Sequence, residues 1–253
     1  MELHLIRNAT VKMSYAGKTL LLDPYLGEKG SGPSYTGKKH SPVVSLPVPP
    51  ESVLEGVEVV VVSHAHSDHF DATAMELLPR HLPLLCQPRD EKTIRDLGFT
   101  GVRPVEGMLR MDGISFTRTP GRHGSGDVLK DMDVVSGFFF ESPGEPSVYW
   151  AGDTVLTDEI RELLRARRPD VVLTHSCGAV WGEGVLILMD DKQTAEVCRL
   201  APESVVVALH MEAVDHATVS RQQLRETARR SGIADERLLI PLDGEIIRIP
   251  ARK

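Results

Sequence analysis

The sequence predicts an α/β protein, a four-layer αββα sandwich in which two β-sheets pack face to face between outer helices. Short strand patterns form a meander near the N-terminus, and β-branched strands then alternate with amphipathic helices. This order of elements occurs in both halves of the chain. No linker rich in Pro and Gly separates the halves, so the sequence indicates one domain over residues 1–253.

The first half begins with three strand patterns, at residues 2–8, 10–15 and 19–23, with a tight turn at Ala16-Gly17-Lys18. Residues 27–50 are rich in Gly, Ser and Pro and lack periodicity, which predicts a lid or a poorly ordered loop. The β-branched run at residues 57–62 is too short for a helix and predicts a buried strand. A helix, a strand and a second helix are then expected, at residues 71–78, 82–87 and 91–97.

The second half returns to strands and again ends in alternation. The expected strands lie at residues 114–119, 135–141, 147–151, 171–175, 205–210 and 238–249. The expected helices lie at residues 158–167, 191–200 and 221–231. The second half therefore repeats the alternation of strands and helices.

Composition excludes several classes of protein. The formal charge of −7 does not favour nucleic-acid binding, although local basic patches remain compatible with it. The N-terminus lacks the pattern of a secretory signal, and no segment approaches the roughly 20 apolar residues of a membrane span. The three cysteines lack metal-knuckle spacing and do not suggest a disulfide framework. We therefore expect a cytoplasmic protein with reduced thiols.

The segment Ser63-His64-Ala65-His66-Ser67-Asp68-His69 directly follows the predicted buried strand at residues 57–62. Imidazole nitrogen and carboxylate oxygen are ligands that zinc, manganese and iron accept. His64 and His66 are expected to face one metal, and Asp68 and His69 a second. The alternative is a polar surface turn, but such a turn would favour Asn, Gly and Ser over three histidines.

The string HAHSDH in this segment resembles the HxHxDH signature of the metallo-β-lactamase superfamily, and it follows a hydrophobic strand as that signature does. Other landmarks of the superfamily occur in order along nearly the whole chain. These are Asp23-Pro24 at a strand end, His123 after Thr119-Pro120-Gly121-Arg122, Asp153 after Gly152, and His210 at the end of a strand. The resemblance implies the αββα sandwich of the metallo-β-lactamase type.

The resemblance also implies two divalent metal ions per chain, held by seven side chains. These ligands are His64, His66 and His123 for the first metal, Asp68, His69 and His210 for the second, and Asp153 as a bridge between them. Gly152 supports the bridging role because a glycine lets the backbone approach closely. Zinc suits the first site, which is rich in histidine, and manganese or iron are the alternatives.

Within the superfamily the chain looks most like the branch that contains L-ascorbate-6-phosphate lactonase. Two departures limit that comparison. Many of those relatives carry a Gly-His-Ala-Ser/Thr string where this chain has Arg7-Asn8-Ala9-Thr10, so Asn8 either replaces that histidine or the role is absent. The chain is also shorter than the sugar-phosphate lactonases, which argues against their particular substrate.

A metal-bridged hydroxide would make the protein a hydrolase of a small, anionic lactone, ester or phosphoester. Beside the metal ligands Asp68 and Asp153, His175 and His216 are candidates for catalytic roles, His175 as a proton shuttle or substrate ligand. Cys177 is a further candidate for substrate contact, and packing under a loop is the alternative for both His175 and Cys177. Asp23 is expected to orient a ligating histidine or to cap the turn into Pro24.

The lysines of the segment 27–50 are a further set of candidates. Lys38 and Lys39 would bind an anionic substrate if the segment closes over the metals, and the alternative is that they keep a long loop soluble. A small-molecule substrate is the expected partner; a membrane is not expected, nucleic acid is disfavoured, and a homo-oligomer stays open. Two alternatives to a small-molecule hydrolase remain: a phosphodiesterase or nuclease of the same fold, and a non-catalytic metal-binding or regulatory protein.

Overall fold

Two seven-stranded β-sheets form the centre of the computed structural model, which describes residues 1–250. The first sheet contains β1 (Glu2–Arg7), β2 (Thr10–Tyr15), β3 (Lys18–Leu22), β4 (Val59–Val62), β5 (Leu84–Cys86), β6 (Val102–Pro104) and β16 (Ile246–Arg248). The second contains β7 (Met108–Met111), β8 (Ile114–Pro120), β9 (Ser136–Glu141), β10 (Val148–Trp150), β11 (Val171–His175), β14 (Val205–Leu209) and β15 (Leu238–Leu239). A two-stranded ribbon pairs β12 (Val180–Trp181) with β13 (Val185–Leu186).

Both sheets combine an antiparallel part with a parallel part. The order in the first sheet is β16-β1-β2-β3-β4-β5-β6, with parallel pairing from β3 to β6. The order in the second is β15-β14-β11-β10-β9-β8-β7, with parallel pairing from β10 to β15. Parallel strands end at the same edge of a sheet, so the loops that follow them meet there.

Helices cover the outer faces of both sheets. They are α1 (Pro50–Leu54), α2 (Ala72–Leu77), α3 (Glu91–Asp96), α4 (Leu129–Met132), α5 (Asp158–Arg167), α6 (Asp191–Leu200) and α7 (Arg221–Arg230). One apolar core joins the facing sides of the two sheets, and two others lie between each sheet and its helices. These layers confirm the predicted αββα sandwich.

Several elements form where the sequence places them. Helix α5 begins after Thr157, whose side chain accepts a hydrogen bond from the Ile160 N–H, and α6 begins after Asp190, which caps the Gln193 N–H in the same way. Such caps satisfy amide groups that have no partner within the helix. The apolar face of each helix then packs on the second sheet. The bounds predicted for α5, α6, β2 and β11 agree with the structure.

The strand predicted at residues 238–249 is wrong. The structure divides it into β15, which pairs parallel to β14 in the second sheet, and β16, which pairs antiparallel to β1 in the first sheet. Pro241 lacks the amide proton that a continuous strand needs, and Gly244 adopts a positive φ of 85° in the turn between the pieces. The sequence pattern also missed the short elements α1, α4, β6, β7, β12 and β13.

Residues 24–49 connect β3 to α1 without a helix or strand. Backbone hydrogen bonds fold this segment on itself, from the Gly30 N–H to the Pro42 oxygen and from the Gly32 N–H to the Ser41 oxygen. The Val43 N–H donates to the Ala213 oxygen and ties the segment to the loop after β14. Within residues 1–250, none of the helices has the length and apolar character needed to cross a bilayer.

Candidate metal centre

Histidine and aspartate side chains converge at the edge where the parallel strands end, and β8 ends there too because β8 and β10 both pair antiparallel to β9. The motif segment 63–69 follows β4, and other members follow β8, β10 and β14. The seven ligands predicted from the sequence all lie there: His64, His66, Asp68, His69, His123, Asp153 and His210. Ligand-type atoms of six of these residues fall into two close groups, one of which also contains His175, and Asp68 lies beside them.

The first group consists of His64, His66 and His123, whose ligand-type nitrogens lie within 4.8 Å of one another. The Nε2 of His64 is 2.9 Å from the Nδ1 of His66. The opposite nitrogen of His64 is 3.0 Å from the Ser63 hydroxyl, and the Nδ1 of His123 is 2.9 Å from the Ile187 carbonyl oxygen. These outer partners turn the remaining nitrogens towards a common point.

Burial lowers the pKa of His64 and of His123 below the ordinary value for histidine. Both rings are therefore neutral near pH 7. The neutral imidazole has a free nitrogen lone pair, which is the form that binds a metal ion.

The second group contains His69, Asp153, His175 and His210, all buried. Asp68 lies beside it, since its Oδ2 is 3.3 Å from the Nε2 of His210. The Nδ1 of His69 is 2.6 Å from Asp23 Oδ2, the contact that the sequence suggested for Asp23. The Nδ1 of His210 lies 3.5 Å from the Cys177 sulfur.

Asp153, a member of the second group, also lies beside the first. Its Oδ2 is 3.1 Å from the Nε2 of His69 and 3.4 Å from the Nε2 of His123. Gly152 places it there with a positive φ of 66°, and a Cβ at this glycine would lie 2.4 Å from the Ser136 carbonyl oxygen. A larger residue at 152 would therefore displace Asp153.

His175 is held in one tautomer behind Asp153. The Trp150 indole N–H can only donate, and it donates to the Nε2 of His175 at 3.0 Å. The proton of the neutral ring must then be on Nδ1, which donates to Asp153 Oδ1 at 2.5 Å. Burial lowers the pKa of His175, in keeping with a neutral ring. Both nitrogens are thus engaged, so this ring orients Asp153 and has no free lone pair for a metal.

The backbone near the centre is strained at residues other than glycine. Asn8, Asp23 and His210 have φ values of 58°, 39° and 60°. Such conformations cost energy and cluster at functional sites. The Asn8 amide donates to the Asp68 carbonyl oxygen at 3.0 Å, and its nitrogen lies 3.3 Å from the Nε2 of His210. The Asn8 side chain therefore connects the first sheet to residues of the second group.

The donor chemistry fits divalent metal ions. Four imidazoles, those of His64, His69, His123 and His210, have an outer nitrogen beside a protein partner and an inner nitrogen that faces the cluster. Carboxylate oxygens of Asp68 and Asp153 lie among these inner nitrogens. Nitrogen and oxygen donors oriented in this way suit zinc, manganese or iron.

A cavity of about 180 Å³ opens over the cluster. Its floor is formed by polar side chains, namely those of His66, Ser67, Asp68, His123, Asp153 and His216. Its wall is formed mainly by aromatic and aliphatic side chains, namely those of Tyr35, Met132, Trp181 and Ile187, together with Asp131. Larger clefts lie elsewhere on the surface, but no residue of the two groups lines them.

The other candidates from the sequence divide into two sets. His216 lines the cavity, and its Nδ1 is buried with no hydrogen-bond partner among the described residues. His175 and Cys177 are buried and lie outside the lining of the cavity, so the structure gives no support to substrate contact by either. Lys38 and Lys39 are exposed and also lie outside this lining.

Sequence reasoning missed the wall of the cavity. Tyr35 and Trp181 lie in irregular or very short elements that carry no periodic pattern. Their only signal was that aromatic residues, which make up 5% of this chain, occurred beside glycines and polar residues. Asp215 was also missed, although its carboxylate binds the Tyr35 backbone from 180 positions away.

Comparison with known proteins identifies the family. Residues 18–211, well over half of the chain, match the family described as the beta-lactamase superfamily domain. The chain belongs to the beta-lactamase superfamily. It is 34% identical to the protein YddR of Bacillus subtilis, over 97% of this chain and 98% of that protein.

Two solved structures resemble the chain in both sequence and fold. An isothiocyanate hydrolase from Delia radicum gut bacteria has a TM-score of 0.92 and 33% identity, and the match covers 100% of both chains. A "possible metal-dependent hydrolase" from Veillonella parvula has a TM-score of 0.94 and 32% identity, covering 98% of this chain and 99% of the other. The present chain is a metal-dependent hydrolase of the metallo-β-lactamase fold.

Proposed function

We propose that this metal-dependent hydrolase cleaves small, neutral electrophiles of the isothiocyanate class, in which an apolar group is bonded to N=C=S. The wall of the cavity carries this proposal, because Tyr35, Trp181, Met132 and Ile187 offer an apolar surface beside the metal centre. An apolar substituent gains free energy when it leaves water for such a surface. The similarity to an isothiocyanate hydrolase supports the same substrate class.

The cavity favours a neutral substrate over the anionic one expected from the sequence. Among residues 1–250, no lysine or arginine lines it, and Asp131 adds a carboxylate at the wall. An anionic lactone or phosphoester would lie near this carboxylate without a lysine or arginine side chain to pair with its charge, so the metal ions alone would have to offset it. The volume of about 180 Å³ is also below the roughly 300–1,000 Å³ of ordinary ligand pockets, which disfavours a polynucleotide.

The proposal places two divalent ions at the groups described above. Those that would hold them are His64, His66 and His123 for one ion, Asp68, His69 and His210 for the other, and Asp153 between them. When bound, such ions acidify water and polarise the carbon that water attacks. We propose zinc for the group of three histidines, with manganese or iron as alternatives where oxygen donors contribute more.

In the proposed reaction, the oxygen of water bonds to the central carbon of R–N=C=S. The bond between that carbon and nitrogen breaks, and the bond between nitrogen and R stays intact. Both protons of water reach nitrogen, so that R–NCS and H₂O give R–NH₂ and COS. His216 is placed to carry a proton to nitrogen, because its ring lines the cavity and burial lowers its pKa, which keeps the ring neutral. The apolar wall would hold the R group and keep other water away from the reacting carbon.

The decisive experiment compares substrate classes on one preparation of protein. Protein loaded with zinc, or separately with manganese, is incubated with benzyl isothiocyanate, a neutral lactone, an aryl ester and bis-p-nitrophenyl phosphate. The proposal expects the isothiocyanate to give the highest kcat/KM, with benzylamine and COS formed in equal amounts. A chelator should abolish this turnover, and added metal should restore it.

The His216 role has its own test within this assay. His216→Ala should lower kcat for benzyl isothiocyanate by about 10²-fold or more while metal content stays unchanged. Rapid hydrolysis of the lactone or the phosphodiester without hydrolysis of any isothiocyanate would refute the proposed substrate class. It would return the function to the alternatives that the sequence left open.

A further inference from the structure

Asp215 binds one short stretch of the segment 24–49 through several hydrogen bonds. Its carboxylate accepts from the Ser34 hydroxyl at 2.7 Å, the Tyr35 N–H at 2.8 Å and the Thr36 hydroxyl at 2.6 Å. Burial opposes ionisation, but the hydrogen bonds from Thr36 and Ser34 outweigh it and hold the pKa of Asp215 well below its usual range. An ionised carboxylate with several donors is a strong anchor.

These bonds hold the Tyr35 backbone, and the ring makes contacts of its own. The ring centroid is 4.5 Å from that of His216, and the Tyr35 hydroxyl is 3.2 Å from the Ser67 hydroxyl in the motif segment. Asp215 directly precedes His216 in the chain. One pair of adjacent residues therefore holds the Tyr35 backbone and supplies the ring on which Tyr35 packs.

Trp181 meets Tyr35 edge to face at the same wall, with a centroid distance of 6.5 Å and an angle of 68° between the rings. Its indole N–H donates to Asp131 Oδ2 at 3.1 Å. Each aromatic residue of the wall thus donates to a carboxylate from another part of the chain, Tyr35 through its backbone N–H and Trp181 through its indole. Two rings at this angle form a corner, where a flat aromatic group can stack on one ring and meet the edge of the other.

We propose that Asp215 is a positioning residue that holds Tyr35 against Trp181, and that this aromatic corner makes the enzyme selective for substrates with a flat aromatic substituent. This inference rests on the proposed function, because it assigns the R group of the isothiocyanate to the corner. It extends that function from a neutral apolar substrate to an aromatic one. Asp215 acts through Tyr35 and does not touch the reacting atoms.

The rest of the segment has anchors that do not involve Asp215. The Gly30 N–H and the Gly32 N–H are bonded within the segment, and Arg7 donates to the Gly27 oxygen at 2.9 Å. None of the seven metal-ligand candidates is a hydrogen-bond partner of Asp215 in the described residues. The carboxylate also accepts from the Lys39 N–H at 3.4 Å and the Ser41 hydroxyl at 3.5 Å. Its loss should therefore loosen residues 34–41 while the fold and the metal centre persist.

The first test compares Asp215→Asn with Asp235→Asn. Asp235 is an exposed carboxylate that pairs with Arg225 and Arg229 outside the cavity. With benzyl isothiocyanate, Asp215→Asn should raise KM by about tenfold, the scale of one lost aromatic contact. With allyl isothiocyanate, which has no ring, KM should rise less than about threefold, and kcat should change less than KM for both substrates. Asp235→Asn should match the wild type.

The second test asks whether Asp215 acts through Tyr35. Tyr35→Ala should reproduce the rise in KM for the benzyl substrate, whereas Tyr35→Phe, which keeps the ring, should retain most of the wild-type affinity. In the double variant, Asp215→Asn should add less than about twofold to the effect of Tyr35→Ala, because both changes remove the same contact. If the increase in KM of the double variant equals the product of the increases in the two single variants, Asp215 does not act through Tyr35.

A binding measurement separates this inference from the proposed reaction. Benzyl alcohol, which is not hydrolysed, is titrated into each metal-loaded variant, and binding is followed by isothermal titration calorimetry. Weaker binding in Asp215→Asn, with unchanged metal content, supports the aromatic corner even if no isothiocyanate is turned over. Equal binding by wild type and Asp215→Asn, or equal KM ratios for the two isothiocyanates, would overturn it.

Discussion

The first sheet presents four candidate metal ligands on one loop of seven residues, whereas the second sheet presents three from three separate strand ends. The loop 63–69 follows β4 and contains HAHSDH without a break. His123, Asp153 and His210 follow β8, β10 and β14 and are separated by 30 and 57 positions in the chain. One half of the site is therefore local in sequence, and the other exists only once the second sheet has formed.

Each half is also oriented mainly by its own sheet. Asp23, at the end of β3, contacts His69 of the loop. In the second sheet, His175 holds Asp153, and the Cys177 sulfur lies beside His210. The relative position of the two halves depends on the packed sheets and on contacts that cross between them, of which Asp153 Oδ2 beside His69 is the most central.

The largest effect should come from removing this central contact. Asp153→Ala should lower kcat/KM by at least about a thousandfold, because metal catalysis supplies several kcal/mol and each 1.36 kcal/mol is a factor of ten. The fold should persist, since the two sheets are joined by an extensive apolar core. Steady-state kinetics and thermal unfolding measure the two outcomes, elemental analysis gives the metal content, and the exposed Asp127→Ala is the control. Wild-type turnover with full metal content would show that Asp153 is not shared by the halves.

Metal removal should produce the next largest effect, on stability. Ions bound to both halves join them in the folded state only, and a ligand at a thousand times its Kd stabilises a protein by about 4 kcal/mol. For a chain of this size, a chelator should therefore lower Tm by roughly 10 °C. Calorimetry with and without chelator tests this, and the difference should shrink in Asp153→Ala. An unchanged Tm in the wild type would mean that the halves are held together without metal.

His175 offers a test on the second-sheet half alone. His175→Leu removes the N–H that orients Asp153 and should weaken metal binding by about 10–100-fold. His175→Asn keeps an N–H near the position of Nδ1 and should recover part of that loss. Competition with a chromophoric chelator measures metal affinity directly. If both variants bind metal like the wild type, the orientation of Asp153 is set without His175.

The same division explains how much of the protein could be predicted from its sequence. The loop 63–69 was recognisable because its candidate ligands lie close together in the sequence, and His123, Asp153 and His210 were proposed by resemblance to a family. The position of His175 was anticipated at the end of β11, but its orientation depends on Trp150, a neighbour only through the pairing of β10 with β11. Such contacts arise from tertiary structure and leave no local pattern.

Other errors have equally specific causes. The strand predicted at 238–249 followed apolar content and ignored the chemistry of Pro241 and Gly244, which send the chain from one sheet to the other. The αββα layers, in contrast, follow from periodicity that many residues share, so single exceptions do not alter them. Tyr35 escaped notice because its position depends on Asp215, in a loop at the other end of the chain.

The smallest effect is expected from Lys38 and Lys39, which the sequence proposed as ligands for an anionic substrate. Both are exposed and outside the lining of the cavity, and exposed charges act through a field that salt screens. Replacing both by Ala should change kcat/KM for benzyl isothiocyanate less than about twofold, since that substrate carries no charge. Lys192→Ala, an exposed change on α6, is the matched control.

The informative comparison for these lysines is between benzyl isothiocyanate and 4-carboxybenzyl isothiocyanate, which differ by one negative charge. If the wall selects neutral groups, the charged substrate should be poor in the wild type and equally poor in the double lysine variant, at both low and high salt. If the double variant instead loses activity only on the charged substrate, and salt abolishes that difference, then the segment 24–49 does recruit anions. The preference for neutral substrates inferred from the wall would then be wrong, whereas the contrast between the two halves of the metal centre would stand.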